Sequence, residues 1–88
     1  MEQAIKPDKP QVHVVTIHVN NKPVQVDGPK ATGLQIKQAA IAQGVSIQPN
    51  FQLLEELGNG RTRVVADSDD VTVNSQSRFV AIAPDDNS

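Results

Sequence analysis

The segment VHVVTIHV alternates in a way that suits a strand and is rich in β-branched side chains. On a two-residue period, His13, Val15, Ile17 and Val19 share one face, and Val12, Val14, Thr16 and His18 share the other. The first set carries more bulk and is assigned to the core. Asn20 and Asn21 tolerate positive φ, which predicts a tight hairpin turn into VQVDG, where Val24 and Val26 face inward. A helix is predicted across GPKATGLQIKQAAIAQG. Thr32 followed three residues later by Gln35 has capping-box spacing, and Gly44 suits the left-handed residue that ends a helix. The apolar helical positions split into two groups on nearly opposite sides, Ile36, Ala39 and Ala40 against Leu34, Ile41 and Val45. The bulkier Leu34 and Ile41 are expected to face the sheet.

Pro49 breaks the extended VSIQPN, and FQLLEEL reads as a strand ending near Glu55, with Phe51 and Leu53 on one side and Gln52 and Leu54 on the other. Gly58-Asn59-Gly60 marks a reversal into RTRVVAD, a short edge-type strand. SDDVTVNSQS is expected to be a loop. RFVAIAP is the last strand, with Phe79, Ala81 and Ala83 alternating against Val80 and Ile82, and Pro84 stopping the ladder.

The order is ββαβ(β)β. One helix covers one face of a mixed sheet, so the fold class is α+β, a β-grasp roll whose last strand lies parallel to the first at the centre. The organisation read from the sequence is an arm at 1–11, a domain at 12–83 and a tail at 84–88. The arm is polar, with Pro7 and Pro10, and offers little to bury against its ordering entropy.

Composition narrows the function. The 88 residues suffice for one domain. There is no cysteine, so a disulfide framework, a cysteine zinc site and a thiol nucleophile are all excluded. That, and an amino terminus without an apolar stretch typical of a signal peptide, makes the cytoplasm the expected location. A net charge of −2 with interspersed signs gives no basic stripe, and only two phenylalanines offer no stacking platform. Neither nucleic acid nor membrane is expected as a partner.

The stretches VTIHVNNKPVQVDGPKATGLQIKQAAIAQGV, FQLLEELGNGRTRVVAD and VTVNSQSRFVAIAPDDNS resemble the bacterial multiubiquitin domain family from about His13 to Ser88. DGPKATG, IKQAAI and FVAIAPDDN are more particular than the fold alone requires. The resemblance implies a ubiquitin-like fold and a prokaryotic ubiquitin-like modifier. Its partners would be an activating enzyme, a conjugating enzyme, a deconjugating or processing peptidase, and target proteins. The conjugation or processing tail would be Pro84, Asp85, Asp86, Asn87 and Ser88. Ubiquitin itself ends in two glycines, which pass a narrow cleft in any conformation. Aspartates there need a wider or more basic channel, or prior trimming, with Asp85 and Asp86 recognised by paired arginine or lysine.

No catalytic residue, metal ligand or cofactor site is expected. His13 and His18 lie on opposite faces of one strand and lack a third ligand. Asp67, Asp69 and Asp70 lack the glycine and distal glutamate of a calcium loop. Arg61, Arg63 and Val65 are candidates for a partner-docking face that steers by charge. Lys6, Lys9, Lys22, Lys30 and Lys37 are candidate acceptors should modifiers form chains. A module that docks without being conjugated, and a sulfur carrier, share this fold. The sulfur carrier normally needs the terminal glycine pair.

Overall fold

The computed structural model describes residues 13–84. The expected arm and the tail positions Asp85, Asp86, Asn87 and Ser88 lie outside them. Strands β1 (His13–Val19) and β2 (Lys22–Gly28) form the hairpin, followed by β3 (Lys30–Thr32) and helix α1 (Gly33–Ala42). Then come β4 (Gln52–Gly58), β5 (Arg61–Val65), β6 (Asp70–Thr72) and β7 (Arg78–Ile82). The main sheet has five strands in the order β2-β1-β7-β4-β5. β7 runs parallel to β1 and antiparallel to β4, so the last strand is central.

The hairpin forms as its sequence dictates. Asn20 and Asn21 adopt φ of 54° and 67°, matching the primed turns whose twist fits a right-handed strand pair. Ile17 and Val19 are fully buried with Val24 opposite, so the assigned inner face of β1 is the observed one. Fully buried Phe79, Leu53 and Ile36 join them to make an aliphatic core around one aromatic ring.

The helix begins on the expected cap. Gln35 N–H donates to Thr32 Oγ1 at 3.1 Å, and Thr32 N–H donates to Gln35 Oε1 at 2.8 Å. It ends where Gly44 turns to φ 98°. Its buried face is not the expected one. Ile36 and Ala40 are fully buried, whereas Leu34 and Ile41 are half-buried. The rotation of α1 is set by ties that periodicity does not encode. Gly33 and Leu34 N–H donate to the Asp69 and Asp67 carbonyls, each at 3.1 Å. Lys37 Nζ, on a side chain sunk into the protein, donates to the carbonyls of Pro49 at 2.6 Å and Phe51 at 2.8 Å. It also pairs with Asp67 at 2.7 Å. Small Ala40 then lets the helix approach the sheet closely.

Two further differences concern the loops. SDDVTVNSQS contains β6, which pairs with β3 as a separate two-stranded sheet, and Val71 within it and Val73 just after it are buried. The valines supply apolar anchors to a segment whose polar composition reads as loop. β4 continues past Glu55 to Gly58, with an irregular register between Glu56 and Gly58 beside the glycine turn.

Candidate functional site

The end of β7 is held between its two neighbours in the sheet, β1 and β4. β1 stops at Val19, and the chain turns away at Asn20–Asn21, while β7 runs on beside it. The Asn20 side chain continues the ladder in place of backbone. Its Oδ1 accepts from Ala81 N–H at 2.9 Å, and its Nδ2 donates to the Ala81 carbonyl at 3.3 Å. On the other flank the last pair joins β7 to β4 through Ile82 and Gln52. Ala83 and Pro84 are exposed, outside any strand. The end of β7 therefore lies in the middle of the sheet, held at Ala81 on one side and at Ile82 on the other.

Beside this exit, the face of the sheet opposite α1 carries an apolar row. Val64 pairs with Leu54, and Leu54 with Val80, so three strands contribute adjacent side chains. Val64 is 55% exposed, and Ile82, also 44% exposed, adds to the row on the side of the exit. The adjoining row is polar, with Glu56 opposite Thr62 and Arg78 in register with His18. Arg78 Nε lies 3.8 Å from Glu56 Oε1, a surface pair that contributes little to stability.

The docking residues expected from sequence fall elsewhere. Arg61, Arg63 and Val65 share the other face of β5, on the helix side. Val65 is 3% exposed and packs in the core opposite Leu53, so it offers no docking surface. Arg63 remains on the surface with its guanidinium 2.6 Å from Glu55 Oε1. Arg61 is exposed at the turn. The outward apolar member of this strand is Val64. Its signal was in the chain: the doublets Leu53-Leu54 and Val64-Val65 break the alternation, as strands with two apolar faces do.

The remaining candidates have structural duties. Asp67 holds Lys37, and Asp69 Oδ2 accepts from Ala66 N–H at 2.9 Å, closing the turn against the start of α1. Among the described residues, no cluster of three or more histidines or carboxylates has metal-holding geometry. Lys37 is buried, whereas Lys22 and Lys30 are exposed, and Lys6 and Lys9 lie outside the described residues. No helix among the described residues is long and apolar enough to cross a membrane.

A mixed sheet with a parallel central pair, crossed by one helix between the second and third strands of the main sheet, defines a ubiquitin-like β-grasp domain. The chain matches the family model described as Multiubiquitin over residues 15–85 and belongs to that family. No curated protein and no solved structure matches it.

Proposed function

We propose that this chain is a bacterial ubiquitin-like protein modifier working in the cytoplasm, a substrate of enzymes and not itself one. In this reading the carboxylate of the tail, trimmed first by a peptidase or used whole, attacks the α-phosphate of ATP on an activating enzyme. Pyrophosphate leaves and an acyl-adenylate remains. A thiol of the enzyme then displaces AMP, and the thioester passes through a conjugating enzyme to a nucleophile on a target protein. The modifier contributes the acyl group and the surfaces that the enzymes hold.

The observation that carries the reading is the exit itself. A central strand is clamped at Ala81 and Ile82, and Ala83 and Pro84 after it are exposed and outside any strand. The apolar row through Val64, Leu54 and Val80 lies next to that exit, where an enzyme acting on the tail could grip the domain at the same time. Family membership supplies the second support.

The test mixes the purified chain with ATP and an activating enzyme from its own cells. A thiol-sensitive covalent adduct is expected for the intact or peptidase-trimmed chain, and none for a chain lacking residues 84–88. If every properly processed end fails to form an adduct, the reading is wrong. The same apolar row also supports a docking module that is never conjugated. Docking through Val64, Leu54 and Val80 would survive the truncation almost unchanged, because all three side chains remain.

A further inference from the structure

We propose that the cleft between the free edge of β2 and helix α1 binds an extended peptide segment of a partner protein as an added strand, and that Gln43 is the latch it displaces. The inference stands apart from any activation of the tail. β2 is an outer strand, seven residues long; among the described residues no strand pairs with its outer edge, and an edge of that length invites one. The edge is occupied at one point. Gln43 Nε2 donates to the Gln25 carbonyl, and Gln25 N–H donates to Gln43 Oε1, both at 2.8 Å. A carboxamide is a peptide group without its chain. Here it makes the pair of bonds that a residue of an antiparallel neighbour would make. The molecule thus displays the chemistry that the edge recognises.

The surroundings extend the site beyond that contact. On the two-residue period, the backbone groups of Asp27 face the same edge as those of Gln25. Among the described residues, no hydrogen bond outside the β1–β2 ladder engages them. Pro23 has no N–H to offer, which closes one end of the edge and directs an added strand towards Gln25 and Asp27. Alongside lies a cavity of about 400 Å³ lined in part by Val26, Ala31 and Ala39, with Lys30 and Asp27 also on its wall. An added strand would place one medium-sized apolar side chain over the two alanines. A basic side chain next in sequence would meet Asp27, for which no ion pair is present among the described residues.

Two features favour a partner's peptide over a second copy of this chain. Antiparallel pairing of two β2 strands about Gln25 would set Pro23 opposite Asp27, losing a bond at each end, and both copies would have to release Gln43. A peptide needs one latch to open. Gln43 is also suited to opening: it is the C-cap of α1, exposed and outside helical geometry at φ −105° and ψ 14°.

The experiment is an amide-resolved NMR titration of the full chain. The probe is a capped peptide of alternating valine and threonine with one central lysine. Its control is the same peptide with the edge-facing amides N-methylated. Expected are shifts at the Gln25 and Asp27 amides, and movement of the Gln43 side-chain resonances towards those of a free glutamine. The methylated control should not bind. Gln43→Ala removes the competing group, so binding should tighten about three- to tenfold, the worth of one or two exposed hydrogen bonds. Gln43→Glu, which sets an acceptor against the Gln25 carbonyl, should act in the same direction and serves if the alanine variant folds poorly. The proposal is overturned by equal binding of the methylated control, by shifts confined to Leu54, Val64 and Val80, or by no binding to any of the three proteins. A Gln43→Ala variant that self-associates and ignores the peptide would overturn it in favour of a second copy.

Discussion

Asn20 holds Ala81 by both of its backbone polar groups, across 61 positions of sequence. One side chain thus does the work of a further residue of β1 and fixes the place where the last strand ends. The same asparagine takes φ 54° in the hairpin turn, so a single residue serves the first turn and the last strand together.

Those two duties separate by substitution. Asn20→Gly keeps the turn geometry and loses the clamp, with an expected cost of about 1–2 kcal/mol. Asn20→Ala loses the clamp as well, and alanine keeps a β-carbon in the left-handed region without the polar side chain that lets asparagine adopt it, so it should cost roughly 1 kcal/mol more than glycine. Urea denaturation of the two variants should rank them in that order. Equal stability would mean that the turn conformation contributes nothing.

Lys37 is a tie between the helix and the two segments beside it. Lys37→Met keeps the stem and removes the ammonium, leaving the Pro49 and Phe51 carbonyls without that donor. A loss of about 1–3 kcal/mol is expected in thermal or chemical unfolding. Asp67→Asn should cost less, since that carboxylate is 55% exposed and screened by water. In the folded chain, an amine-reactive ester should label Lys22 and Lys30 well before Lys37, as read by peptide mass spectrometry. Early labelling of Lys37 would contradict its burial.

The rotation of α1 is open to a direct comparison. Ile36→Ala empties a fully buried site and should cost about 2–5 kcal/mol. Leu34→Ala, at a half-buried position, should cost about half as much or less by the area it removes from water. The reverse ranking of unfolding midpoints would indicate that the helix faces the sheet by its other side.

Gly33 opposes the usual helix rule. Exchanging glycine for alanine within a helix normally gains up to about 1 kcal/mol. At this position a β-carbon would overlap the Ala66 carbonyl oxygen and press on Val65. Gly33→Ala is therefore expected to destabilise by about 1–3 kcal/mol in equilibrium unfolding. Neutral or raised stability would show that the loop over the helix start yields easily.

Much of this protein is legible along the chain because its strongest signals are local. The paired asparagines can take positive φ, Thr32 and Gln35 stand at capping distance, and Gly44 relieves a left-handed turn. Period-two alternation likewise separates the faces of β1 and β2. These features depend on neighbours within about four residues, so the hairpin, the helix and the β-grasp order followed from sequence. The absence of cysteine excluded disulfide and thiol chemistry without any contact being known.

Tertiary structure decided what depends on distant partners. The rotation of α1 rests on carbonyls near residues 49–51 and 67–69, and the identity of β6 rests on β3, some 40 positions away. Val65 turned inward and Val64 outward because of where β4 lies, moving the candidate docking surface to the opposite face. The bond between Gln43 and Gln25 joins a helix end to a strand edge that periodicity never relates. Local rules set which elements form, while burial and hydrogen bonding across the fold choose the faces they turn, and so the surfaces left for partners.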